Sequence, residues 1–202
     1  MRLIVALPAL ACALALVGCA KGSGEANQVA AANTTAAPAP AAGAQPPGPN
    51  GEVPGVLDRS HAGTAAPTLS FEDPQGRATT LAAYRGRPLL VNFWATWCGP
   101  CIIEMPSLDA LAQREGEALQ VVALSQDMAG REAVTRFFRA RSFRALEANL
   151  DKEMAFMTAL RLETLPTTIL YDADGKEVWR MTGRAEWDSE RVARLLDEAE
   201  AG

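Results

Sequence analysis

Residues 88–101, Pro88-Leu89-Leu90-Val91-Asn92-Phe93-Trp94-Ala95-Thr96-Trp97-Cys98-Gly99-Pro100-Cys101, pass from a nearly continuous apolar run into a helix start that carries two cysteines. A run of this kind is what a strand covered on both faces requires, so it marks the centre of a sheet. Pro100 suits the first turn of a helix, where its missing N–H costs nothing. There the unpaired N–H groups and the helix dipole stabilise a thiolate, and one turn brings the two sulfurs together. Cys101, Met105, Leu108 and Ala112 recur at helical spacing and should face the core. That pattern predicts a shielded Cys101 and an accessible Cys98 at the helix tip, flanked by Trp97 and the Gly99-Pro100 turn.

Around this centre the chain alternates strand-like and helix-like segments, the pattern of an α/β layer architecture. A short strand pair near 68–71 and 79–81 is split by the turn Asp73-Pro74-Gln75-Gly76. After the helix 98–115 come a buried strand 119–125, an Arg-rich helix 130–142 and a helix 153–160. A strand 167–171 then meets its partner 177–181 across Asp172-Ala173-Asp174-Gly175. A terminal helix, 188–200, takes Asp188 or Ser189 as N-cap.

Upstream the composition changes. Residues 26–49 contain no charge and only Val29 as a large aliphatic, and no aromatic residue precedes Phe71. Such a stretch cannot build a core. Residues 19–66 are therefore expected to form a flexible Ala/Pro/Gly-rich tether with a mean reach of roughly 35–40 Å, and residues 67–202 the folded domain. At the start, Arg2 precedes an apolar run from Leu3 to Val17, shorter than the ~18 residues of a spanning helix, which reads as an export signal covering residues 1–18. The formal charge of −5 gives no indication of a nucleic-acid partner.

Cysteine usage narrows the chemistry. Cys12 leaves with the signal, and Leu16-Val17-Gly18-Cys19 resembles the lipobox of bacterial lipoproteins, in which the cysteine becomes an acylated N-terminus. Cys98 and Cys101 are then the remaining thiols, and in an oxidising exported compartment they form either a disulfide or a redox couple. Two other possibilities stand beside the redox couple. A zinc site needs about four ligands, whereas two cysteines and His61 are on offer. A purely structural disulfide closing so short a loop adds little stability.

The stretch Val91–Cys101, followed by Glu104-Met105-Pro106, resembles the thioredoxin-like family, specifically its exported TlpA/ResA/DsbE-type branch. The resemblance spans roughly residues 67–200, because Thr164-Leu165-Pro166-Thr167-Thr168 falls where that family places its cis-proline loop and Asp174-Gly175-Lys176 resembles the hairpin that follows. It implies a central mixed β-sheet flanked by helices, with an added N-terminal β-hairpin. It also implies a thiol:disulfide oxidoreductase that needs no cofactor, with Cys98 as nucleophile and Cys101 as resolving thiol. Trp97, Pro100, Leu165 and Pro166 would meet substrate, Leu165 through its backbone, while Pro106 would kink the active-site helix. The partners implied are substrate protein disulfides, a membrane-embedded thiol donor upstream and, through Cys19, the membrane itself on the periplasmic side. The branch serves cytochrome c maturation, copper-site assembly or general disulfide reduction.

Direction follows the intervening residues. Thioredoxin, with the Gly-Pro pair seen here, has a potential near about −270 mV and DsbA near about −120 mV, which favours a reductase. One departure bears on mechanism: Asn92 stands where cytosolic thioredoxins carry a buried aspartate that accepts the proton of the resolving thiol. Glu104, one turn beyond Cys101, and Glu163, close to Pro166, are the candidate replacements. Trp94 is expected in the core, with Trp179 and Trp187 structural. A peroxidase of the same fold is the rival enzyme, but peroxiredoxins place their nucleophile in Thr-x-x-Cys, and Thr96 gives Thr-x-Cys. A copper-binding chaperone would need a histidine better placed than His61.

Overall fold

The computed structural model describes residues 55–199. The export signal, Cys12, Cys19 and the tether up to residue 54 lie outside the described residues. The elements are β1 (Val56–Asp58), β2 (Ser70–Glu72), β3 (Ala78–Thr80), a 3-10 turn (Leu81–Tyr84), β4 (Leu89–Trp94), α1 (Gly99–Glu115), β5 (Gln120–Ser125), α2 (Arg131–Arg139), β6 (Asn149–Leu150), α3 (Ala155–Leu160), β7 (Thr167–Tyr171), β8 (Glu177–Thr182), α4 (Glu190–Leu196) and a closing 3-10 turn (Asp197–Ala199). The strands form a single sheet in the order β1-β8-β7-β4-β5-β6-β2-β3.

The apolar run does form the sheet interior: β4 pairs in parallel with β5 and antiparallel with β7, and all six of its residues are buried. Its side chains alternate between the two faces. Leu90 and Trp94 join a core with Cys101, Met105, Leu108 and Leu111 of α1, Val134 and Phe137 of α2, and Val192 and Leu195 of α4. Leu89, Val91 and Phe93 join the opposite core with Phe71, Leu81, Val122, Ile169, Tyr171 and Phe156 of α3. Both faces being covered explains why the sequence shows no apolar-polar alternation. Asn92 is the interruption, a fully buried amide on the α1 side.

The two Asp-x-x-Gly turns work alike. Asp73 Oδ1 accepts the Gln75 and Arg77 N–H groups, Asp172 Oδ1 accepts those of Asp174 and Lys176, and each turn closes through a glycine at positive φ, Gly76 at 78° and Gly175 at 79°. The β2–β3 hairpin joins the sheet edge by one antiparallel register pair, Glu72 with Leu150, and Arg131 of α2 clamps it by a 2.9 Å ion pair with Glu72. Ser189 caps α4, its hydroxyl accepting the Val192 N–H.

The boundary expected at residue 67 is corrected. β1 pairs antiparallel with β8, Ala65 bridges Lys176, and backbone bonds of 2.7–2.9 Å run from Gly55 to Arg184, Gly63 to Glu177, Glu177 to Thr64 and Ala66 to Gly175. The segment supplies hydrogen bonds to the open edge of β8 more than apolar area. Val56 is exposed and only Leu57 and the small Ala66 pack on the cores, so composition gave no warning. Gly55 passes so close to β8 that a Cβ there would lie 2.7 Å from Met181. Among the described residues no helix is long and apolar enough to cross a membrane.

Candidate active site

β4 ends at Trp94, and a turn closed by the Cys98 N–H donating to Ala95 O leads into α1. Cys98 is the N-cap residue, its sulfur accepting the Cys101 N–H at 3.3 Å, and Pro100 occupies the first turn as expected. The two sulfurs are joined as a disulfide with a Cα–Cα separation of 5.3 Å. Cys101 has no exposure and Cys98 only 5 %. The expected ranking holds, but Cys98 is less open than its position suggested. With its sulfur bonded to Cys101 and folded over the helix start, what it shows to solvent is an edge. Around that edge Gly99 and Pro100 are exposed and Trp97 is 68 % exposed, whereas Trp94, Trp179 and Trp187 are wholly buried.

The loop 164–168 reaches the same centre. The Leu165–Pro166 bond is cis, Leu165 is half-buried against both cores, and Pro166 is buried. Two residues on, Thr168 pairs in register with Asn92 across β7 and β4. The Asn92 amide donates at 2.9 Å to Thr168 Oγ1 and at 2.7 Å to Glu104 Oε1, so a single buried side chain joins the proline loop to α1.

Glu104 is 1 % exposed and sits one turn after Cys101 on the same buried side of α1. Its Oε2 accepts the Ala185 N–H at 2.9 Å. Burial pushes its carboxyl up, and the Ala185 N–H and Asn92 amide offset that only in part, leaving a pKa of about 7. Asn92 Oδ1, buried and without a partner, is available to accept a hydrogen bond from the protonated carboxyl once the amide turns over. Glu163, the other candidate acid, lies exposed on the loop before Leu165 and lines an open cavity with Asp58, His61, Arg161 and Arg180. The structure thus separates two residues that the sequence could only offer together.

His61 lies 3.9 Å from Asp58, and among the described residues no group of three or more His, Cys, Asp and Glu side chains is gathered for a metal ion. Two polar residues escaped sequence reasoning. Thr168 was visible only as part of the proline loop. Asp127 sits after β5, where its buried carboxylate accepts the Thr96 N–H at 2.9 Å and the Thr96 hydroxyl at 2.6 Å. No spacing rule links positions 96 and 127.

Residues 61–196 match the Redoxin family model. Among curated relatives, the thiol-disulfide oxidoreductase ResA of Geobacillus thermodenitrificans is 32 % identical over 124 residues, covering 60 % of this chain and 69 % of its own. ResA of Bacillus subtilis is 30 % identical over 122 residues, covering 60 % and 67 %. Among solved structures, the exposed lipoprotein thioredoxin of Streptococcus pneumoniae superposes with a TM-score of 0.58 at 21 % identity, covering 64 % of this chain and 98 % of its own, a likeness of fold. With the Cys98–Cys101 disulfide at the start of α1 and relatives of this kind, the chain belongs to the Redoxin family and is a thiol-disulfide oxidoreductase of the ResA type.

Proposed function

We propose that the protein is an exported, lipid-anchored reductase of protein disulfides, with Cys98 as nucleophile, Cys101 as resolving thiol and Glu104 as the acceptor of the Cys101 proton. The observation that carries the reading is the inequality of the two sulfurs, one capping a helix at the surface edge and the other wholly enclosed next to a buried acid. The Cys98 thiolate, favoured by the helix N-terminus, attacks a substrate disulfide, forming a mixed disulfide and releasing one substrate thiolate. Cys101 passes its proton to Glu104, attacks Cys98 Sγ and expels the second substrate thiolate, so the Cys98–Cys101 disulfide re-forms. A dithiol donor at the membrane then returns two electrons and two protons. Residues at i and i+3 are neighbours on one helix face, their Cβ atoms about 5–6 Å apart, which brings the Glu104 carboxyl within reach of the Cys101 thiol. A pKa of about 7 suits a group that must take and return a proton near neutrality.

Trp97, Pro100 and the Leu165 backbone supply the substrate contact, and Pro166 shapes the loop that presents it. Cys19 carries the lipid. Cytochrome c maturation and metal-site assembly, roles of the branch that the sequence resembles, are the cellular settings this reading proposes. Insulin reduction by the intact chain tests the chemistry: Cys98→Ser should abolish turnover and Cys101→Ser should accumulate mixed disulfide. Activity retained in Cys98→Ser overturns the mechanism, and a potential near that of DsbA overturns the reductase direction. Cys19→Ser should release the protein from the membrane fraction, and unchanged fractionation overturns the anchor.

A further inference from the structure

Once the disulfide opens, the turn that carries Cys98 is held by the packing of Ala95 and Cys98 against the core and by a small set of hydrogen bonds. Trp97, immediately before the cysteine, is 68 % exposed and offers no packing anchor, and Gly99 and Pro100 behind it are exposed as well. The hydrogen bonds are those from Cys98 N–H to Ala95 O and from Ile102 N–H to Cys98 O, each 3.1 Å, the Cys101 N–H on Cys98 Sγ at 3.3 Å, and the attachment of Thr96. Thr96 is bound twice, through N–H and hydroxyl, to the two oxygens of the Asp127 carboxylate.

Asp127 is itself fixed. Its Oδ2 accepts the Ser125 hydroxyl at 2.6 Å, its exposure is 1 %, and Ser125 is the last residue of β5, in register with Trp94 at the end of β4. The Gln126 N–H donates to Trp94 O at 2.8 Å. The carboxylate therefore bridges the carboxyl ends of two adjacent parallel strands and reaches from that rigid base to the turn. Three donors converge on it. A carboxylate, which only accepts, can serve them all, whereas an asparagine has one acceptor oxygen and must turn an N–H₂ toward a donor.

We propose that Asp127 is the positioning residue of the nucleophile: by holding Thr96 it keeps Cys98 seated at the N-terminus of α1 in the reduced protein, where the disulfide no longer does so. The inference rests on Cys98 being the attacking thiol. A seated Cys98 has its thiolate stabilised by the helix start, and an unseated one loses that stabilisation. Two effects of removing the carboxylate oppose each other and can be told apart. Loss of position raises the Cys98 pKa, while loss of a nearby negative charge lowers it. Thr96→Val removes the hydroxyl donor and leaves the charge in place.

The experiment is the pH dependence of Cys98 alkylation in the intact reduced chain carrying Cys101→Ser, read by mass mapping, with thermal unfolding alongside. Asp127→Asn and Thr96→Val should both shift the Cys98 profile to higher pH and slow alkylation below its pKa by roughly 2- to 30-fold, the range of helix-terminus stabilisation. In the two-cysteine chain the glutathione equilibrium should move toward the disulfide by a similar factor. Asp109→Asn is the control: that buried acid also accepts several backbone N–H groups, but on the loop 144–146 rather than on the turn. It should lower thermal stability and leave Cys98 unmoved. Variants at 96 and 127 with an unchanged Cys98 profile, a downward shift in Asp127→Asn, or an equal shift in Asp109→Asn each overturn the proposal. A parent chain whose Cys98 reacts no faster than in urea overturns it together with the nucleophile assignment, whereas a fast parent with unaltered variants overturns the clamp alone. Should Asp127→Asn fail to fold, Thr96→Val carries the test.

Discussion

Glu104 and Asp109 lie five residues apart on α1, both buried, and their surroundings hold them in opposite states. Glu104 meets one backbone N–H and one side-chain amide, so burial wins and the carboxyl rises to about 7. For Asp109 burial also pushes upward, but the N–H groups of Ala145, Leu146 and Arg144 and the Gln113 amide outweigh it, and the carboxyl is held below its usual range. Glu104 is also the more deeply enclosed of the two, and the balance between enclosure and the donors that converge on a carboxylate decides which outcome follows. One turn of the helix uses an acid as a fixed anchor for the loop after α2, and the turn nearer the disulfide keeps an acid poised to change charge.

The comparison breaks first at Asp109. Asp109→Ala leaves the Arg144, Ala145 and Leu146 N–H groups without their acceptor and should cost about 3–5 kcal/mol. Thermal unfolding checks this, and exchange activity per folded molecule should persist. If unfolding hardly changes, the loop is held by something other than this carboxylate.

The Glu104 side gives a somewhat smaller effect with a definite sign. Its folded pKa of about 7 exceeds the reference value of 4.5, so the native state binds the extra proton between those values. Stability must therefore fall as pH rises through that window, by roughly 3 kcal/mol, and level off above it. Glu104→Gln should remove this slope in denaturant titrations at pH 4.5, 6 and 8, and should flatten the pH profile of substrate reduction near 7. Glu163→Gln should alter neither. A slope that survives Glu104→Gln belongs to another group.

Asn92→Asp sharpens the contrast in the other direction. A second carboxyl 2.7 Å from Glu104 Oε1 cannot ionise alongside it, so the pair should share a proton and the upper titration should move above 7. An NMR or infrared titration of the carboxyl band reads the shift. The smallest structural effect is expected at Trp97, where exposure makes Trp97→Ala nearly neutral for stability, within about 0.5 kcal/mol. Reduction of a protein disulfide should nonetheless slow several-fold in kcat/KM, and an unchanged value would remove Trp97 from the substrate contact.

Much of this was written locally. The apolar continuity of residues 88–95, the two Asp-x-x-Gly turns and the Cys101-Met105-Leu108 stripe each reflect chain periodicity or turn chemistry confined to a few neighbours, and each appears where expected. β1 escaped because an edge strand of three residues contributes backbone bonds rather than an apolar pattern. β6 is shorter still. Ala112, the last member of the helical stripe, is only half-buried, because α1 ends three residues later at Glu115.

By itself the sequence determined the reactive pair, its place at a helix start and the order of burial of its two sulfurs, because those properties depend on residues within one or two turns of one another. The tertiary structure alone decided which acid is buried, which loop reaches it and what binds the turn before Cys98. Asn92, Glu104 and Thr168 meet across β4, α1 and β7, and Thr96 meets Asp127 across the ends of β4 and β5. The charge state of a carboxylate follows from its solvent exposure and its donors, and in this fold those donors come from segments up to 81 residues away.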